Sequence, residues 1–267
     1  MNFCILSNIF CAVLYSLTLS QLITMKFYTY GTSRWTEPAK ILNDKYNIPS
    51  KAYPGKDLEF ITQRVIDRVK SDGVYDPKAN PAFVYITAGL TDVTEKVTYG
   101  WDSNRYQEVI FYEDISKAVD RVMNEFHKSS HKLFELNGIM PVYSTVAPMS
   151  FWDWNYMRLC QGKTSALYHV EDYWVMQEDL EDCIIEINNR IREMNANISP
   201  HTLTPRIADQ VFQKKGANQP HRFRHNRLVD GVHPDGEVVD KWVQEMVDTI
   251  DKNAETFLEL EGHIGIL

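Results

Sequence analysis

Apolar positions along the 267-residue chain follow two alternating periods. Short unbroken apolar runs, "KFYTY" at 26–30, "AFVYITAG" at 82–89 and "IMPVYSTVAP" at 139–148, read as strands buried on both faces, as in a parallel sheet covered by helices. Elsewhere the apolar residues recur at helical spacing. Leu58, Ile61, Val65 and Val69 mark one helix with Gly73 as its stop, and Ile115, Val119, Val122, Phe126 and Leu133 mark a longer one over about 113–136, ended by Gly138. Leu180, Cys183, Ile184, Ile187 and Ile191 predict a third over about 179–194. A fourth follows Pro234 and carries Val238, Val239, Trp242, Val243, Met246 and Ile250. "ILNDKYN" reads as a further short helix. Strands alternating with helices predict βαβ crossovers and a three-layer α/β/α sandwich around a central parallel sheet, of flavodoxin-like type. The segment 195–228 should hold another strand, but its pattern hardly shows one. Residues 91–104 read as a polar connection, and "SFWDWNYMRL" as an aromatic-rich insertion.

The first 24 residues break this pattern. They carry no charge and are mostly apolar. Their length suits a secretory signal or, less well, a membrane anchor, whereas Met25 opens the first strand and makes an upstream extension an equal alternative. A signal implies secretion, an extension implies an intracellular protein, and membrane association is expected only if the leader is retained. Residues 25–267 are then read as a single domain.

Charge and cysteine content narrow the classes. A net charge of -8 argues against a duplex nucleic-acid partner, which demands a basic face. One basic cluster, "HRFRHNR" at 221–227, reads as a solvated loop, with anion binding as the alternative. Cys4 and Cys11 belong to the leader. Cys160 and Cys183 are able to bridge, but two body cysteines are no disulfide framework. No Cys/His spacing suggests zinc, and no metal or organic cofactor is implied. Asn197-Ile198-Ser199 is a formal glycosylation sequon followed by Pro200, and nothing marks an oligomeric state.

In an open parallel sheet, ligands bind beyond the carboxyl ends of the strands. The first strand is followed by "GTSRW", which puts Ser33 at that edge. "AYPGKDLEF" puts Gly55 on a turn entering a helix, "GLTD" puts Thr91 and Asp92 after the strand at 82–89, and "DGVH" puts Asp230 and His233 before the last helix. Each residue type has a use in acyl transfer. A serine hydroxyl becomes a nucleophile when an imidazole takes its proton, and a carboxylate holds that imidazole in the right tautomer. Backbone N–H groups of Ser33 and Gly55, with a donor at Thr91, would receive the oxyanion. Singly, each residue has a plainer reading: Ser33 and Gly55 as turn residues, Asp230 as a helix cap, His233 as a surface residue.

These four blocks, in this order, resemble the SGNH hydrolase superfamily, the GDSL-type esterases, over roughly residues 26–250. "GTS" is similar to its nucleophile block, "PGKDLEFI" to its glycine block, "GLTD" to its Gly-x-Asn-Asp block and "DGVH" to its Asp-x-x-His block. The resemblance implies an SGNH-type sandwich and a serine esterase with Ser33, Asp230 and His233 as triad. Ser33, Gly55 and Thr91 then form the oxyanion hole, and Asp92 is structural. Two positions depart from the pattern: Thr32 replaces an Asp, and Thr91 replaces the oxyanion Asn with a shorter, stiffer donor. The expected substrate is a small-molecule or glycan ester, such as an acetylated carbohydrate or short-acyl ester. Trp101, Trp152 and Trp154 are read as its rim, with packing of the insertion as the equal alternative. The competing reading is a catalytically lapsed SGNH-like module that binds glycan or protein. A nucleotide-binding flavodoxin-like protein is disfavoured, because "GTSRWTEP" is no glycine-rich phosphate loop.

Overall fold

A computed structural model describes residues 25–71, 82–99, 106–136, 139–198, 202–213 and 222–264. The apolar leader, Trp101 and the helix stops read at Gly73 and Gly138 lie outside the described residues. Four strands, β1 (Lys26–Gly31), β2 (Ser50–Ala52), β3 (Ala82–Thr87) and β6 (Ile139–Tyr143), form one parallel sheet in the order β2-β1-β3-β6. Every residue of β3 is buried, because both faces of this central strand are covered. Val84 and Ile86 enter one core with α2 (Leu58–Ser71), α4 (Ile115–Phe134) and α6 (Tyr173–Ile198). Phe83 and Tyr85 point the other way, into a core built with α1 (Thr36–Tyr46) and α7 (Gly236–Ile264) around Trp35, Leu42 and Trp242. The period of two along β3 thus builds both faces of an α/β/α sandwich.

Three segments differ from the sequence reading. The segment read as a polar connection from 91 begins inside a short helix α3 (Leu90–Val93), formed by "GLTD" itself, and continues as strand β4 (Glu95–Tyr99), which pairs antiparallel with β5 (Tyr106–Ile110). This hairpin was hidden because its outer face is polar. The insertion is a helix, α5 (Phe151–Cys160), started by Ser150, whose hydroxyl accepts the Asp153 N–H at 3.2 Å.

The strand expected within 195–228 does not join the parallel sheet among the described residues. There the chain makes a 3-10 turn (Ile207–Gln210) and two-residue strands β7 (Phe212–Gln213) and β8 (Arg222–Phe223), paired only with each other. Side-chain amides supply what a fifth strand would. From α6, Asn195 takes the Tyr143 N–H at 3.1 Å and donates to its carbonyl at 2.7 Å. Asn188 does the same at Val146, and Gln177 spans the Phe151 N–H and the Met149 carbonyl. These buried backbone groups would otherwise be unsatisfied. With them bonded, the extended, fully buried segment after β6 reaches the site without a neighbouring strand.

Candidate active site

Ser33 stands directly beyond β1. It opens a 3-10 turn (Ser33–Trp35), where its own N–H precedes the first intrahelical bond and is available to a ligand. The preceding Thr32 N–H is tied to the Thr87 carbonyl at the end of β3, 3.2 Å away. Arg34 turns inward and is 5 % exposed. Its guanidinium donates to the carbonyls of Ala147 and Pro148 at 2.5 and 2.8 Å, anchoring the segment after β6 beneath the serine. Burial lowers the Arg34 pKa, and the nearby Asp230 charge partly restores it.

The "DGVH" loop closes on its own aspartate. Asp230 Oδ1 accepts the backbone N–H groups of Val232 and His233 at 3.0 and 2.7 Å, and Oδ2 lies 2.7 Å from His233 Nδ1. Burial pushes the Asp230 carboxyl up, but these hydrogen bonds outweigh it and hold the group at about 2. An ionised carboxylate only accepts, so Nδ1 carries the proton and Nε2 is left as the acceptor. Gly231 makes the turn possible, with φ of 80°. A Cβ there would meet the Trp154 nitrogen at 2.7 Å and the Ser150 carbonyl at 2.8 Å, while the Gly231 carbonyl accepts the Ser150 N–H at 2.8 Å. The histidine loop is therefore seated on the start of α5.

Gly55 sits on the turn before α2 with φ of 66°. That turn is held from below. Both carboxyl oxygens of Asp92 accept the Leu58 N–H at 3.2 Å, joining the "GLTD" and "PGKDL" segments. Burial raises Asp92 to about 6, against the lowering effect of the Leu58 hydrogen bond. Thr91 begins on the exposed side of α3, and its hydroxyl has no hydrogen-bond partner among the described residues.

Ser33, Gly55, Thr91, Trp154 and His233 all line one cavity of about 610 Å³. Trp154 meets the His233 ring edge to face, 6.0 Å between centroids. Ser33 Oγ and His233 are not hydrogen-bonded to each other, a contact that often tightens only with substrate in place. Trp152 is placed elsewhere. It is 50 % exposed and borders a separate cavity of about 440 Å³ with Val170, Tyr173 and Trp174. Two residues apart on a helix, Trp152 and Trp154 face nearly opposite ways, so they do not share a rim. Cys160 is exposed and Cys183 buried, both as free thiols. No His/Cys/Asp/Glu cluster suited to a metal occurs among the described residues.

The cavity also gathers residues that the sequence reading did not single out: Arg34, Lys96, Gln107, Glu108, Met149 and Arg158. The β4–β5 hairpin carries three of them. Asn155 of α5 fixes that hairpin by taking the Val109 N–H and donating to its carbonyl, each at 2.9 Å. Glu108 is fully buried, with its oxygens engaged by the Tyr173 hydroxyl (2.6 Å), His169 Nδ1 (2.7 Å) and the Tyr168 N–H (2.8 Å).

No protein-family model and no curated protein sequence matches the chain. Solved structures do. A candidate acylhydrolase from Bacteroides fragilis superposes with a TM-score of 0.50 over 88 % of both chains at 15 % identity. A GDSL-like lipase from Bacteroides thetaiotaomicron gives a TM-score of 0.50 at 15 % identity, over 87 % of this chain and 88 % of its own. The chain has the fold of the SGNH, or GDSL-type, hydrolases.

Proposed function

We propose that this protein is a serine hydrolase that cleaves carboxylic esters. The observation that carries the reading is that His233, held 2.7 Å from Asp230, lines the same cavity as Ser33 at the carboxyl edge of the sheet. Ser33 Oγ attacks the ester carbonyl carbon while His233 Nε2 takes the hydroxyl proton. The oxyanion is received by the N–H groups of Ser33 and Gly55 and by the Thr91 hydroxyl. Collapse breaks the ester C–O bond, and the leaving alkoxide takes the proton from His233. Water then repeats the sequence on the acyl-serine, which releases the acid and restores Ser33. Asp230 keeps the imidazole tautomer fixed throughout.

The test is covalent labelling of the full chain with a fluorophosphonate, followed by mapping of the adduct. An adduct on Ser33 that disappears in His233→Ala is the expected result. Undiminished labelling of His233→Ala, or no adduct on folded protein, overturns the triad. The free Thr91 hydroxyl in place of an amide is what favours the second reading, a lapsed SGNH-like module that binds a glycan or protein, and failure to label moves the assignment there.

A further inference from the structure

The protein carries net charge -8, yet the wall of the Ser33 cavity has the opposite sign. Lys96 on β4 and Arg158 on α5 both line it, and neither has a carboxylate partner among the described residues. Arg158 is only partly exposed; one Nη donates to the neutral Gln107 amide at 3.0 Å, and its Cζ lies 5.8 Å from the Trp154 ring. Burial alone moves its pKa, downward, with no anion opposing that shift. The carboxyl in this wall, Glu108, has both oxygens committed to Tyr173, His169 and the Tyr168 backbone, so it offers Arg158 no salt bridge. Elsewhere on this protein arginines follow the usual rule: Arg121, Arg190 and Arg227 each hold a carboxylate. A half-buried guanidinium without a counter-ion is unfavourable, and a ligand anion relieves it.

Position makes this useful. The Trp154 ring is a neighbour of both functions, 6.0 Å from the His233 ring and 5.8 Å from the Arg158 Cζ. We propose that the substrate is an anionic ester, with a carboxylate, phosphate or sulfate held by Arg158 and Lys96 about one indole's width from the scissile carbonyl. The inference rests on the hydrolase reading and specifies its substrate class. Apolar Leu90, Val109 and Met149 also line the cavity.

The experiment compares kcat/KM within two matched ester pairs. One is 4-nitrophenyl butyrate against mono-4-nitrophenyl glutarate, with the anion on the acyl side. The other is phenyl acetate against 4-sulfophenyl acetate, with the anion on the alcohol side. At least a tenfold preference for the anionic member of one pair is expected, falling to near parity in Arg158→Gln and shrinking as salt rises. Parity in both pairs, or a preference untouched by Arg158→Gln and Lys96→Gln, overturns the proposal while leaving the hydrolase intact. A chain that cleaves no ester sinks the hydrolase reading instead. Titration of glutarate and glutaramide into Ser33→Ala still interrogates the cation pair in that case. Tenfold tighter binding of glutarate, lost in Ser33→Ala/Arg158→Gln, supports the site; equal or absent binding overturns it.

Discussion

Asn188 brackets Val146: its Oδ1 accepts the Val146 N–H at 2.6 Å, and its Nδ2 donates to the Val146 carbonyl at 2.9 Å. One amide thus imitates a neighbouring strand at the open edge beyond β6. The same two-bond arrangement recurs at Asn43 with Ser50, Asn155 with Val109, Asn195 with Tyr143 and Asn253 with Leu203. Asn188→Leu keeps a side chain of similar reach but strands two buried backbone groups. It should destabilise the fold by roughly 2–4 kcal/mol, since each unmade buried hydrogen bond costs on the order of 1–3. Urea unfolding checks this; a change below about 0.5 kcal/mol, the scale of an ordinary surface substitution, would show that water satisfies Val146.

Gly231 lies between Asp230 and His233 and against the backbone of Trp154. Its positive φ and the 2.7 Å approach leave no room for a Cβ. Gly231→Ala should lower stability by about 2 kcal/mol, a strained-backbone penalty. Esterase activity should fall further than stability predicts, because the loop that aims His233 must shift off α5. An active, equally stable variant would mean that the loop is soft.

Thr91 lines the cavity with its hydroxyl unengaged among the described residues, and the proposed mechanism makes that hydroxyl an oxyanion donor. Thr91→Asn replaces it with a longer amide donor. A fully formed donor at such a site is worth about 10²–10³ in rate, and the variant should recover roughly tenfold of that in kcat. Steady-state kinetics on a neutral ester decides it. A fall in kcat would show that the pocket is shaped around threonine.

Asp92 gives the pH dependence. Its carboxyl is raised from 3.8 to about 6, so between those values the folded chain holds a proton that the unfolded chain has lost. Stability from this group is therefore greatest below pH 4, falls as pH rises through 6, and stays low above. Asp92→Asn keeps an oxygen for the Leu58 N–H and has no charge to bury. It should be more stable than the parent by about 3 kcal/mol at pH 7, converging with it near pH 4. Denaturant midpoints across pH 4–8 test this, and a constant difference would point to a lost contact rather than a titration.

The period of the apolar residues was enough to read the layered architecture. Unbroken, short, β-branched and aromatic runs such as "AFVYITAG" suit strands covered on both faces, and the helical stripes on α2, α4, α6 and α7 are the covers. Asp230 and His233 were legible because their geometry is local: a three-residue spacing lets one carboxylate cap the loop and hold the ring. Ser33, Gly55 and Thr91 were legible through their place after strands, which topology brings to one edge.

Side-chain direction and long-range pairing were not. Trp152 and Trp154 look equivalent in the sequence, yet the rotation of α5 sends them to different cavities. Nothing in the sequence sets Arg34 apart, and only packing reveals it buried on the Ala147 and Pro148 carbonyls. No periodicity announces that an asparagine on α6 will stand in for a strand. Lys96 and Arg158 are 62 residues apart, and nothing in either segment marks a site. Local patterns are set by the repeat of the backbone, which any window of the chain displays. The charge of the cavity depends on which distant surfaces meet, and only the folded chain decides that.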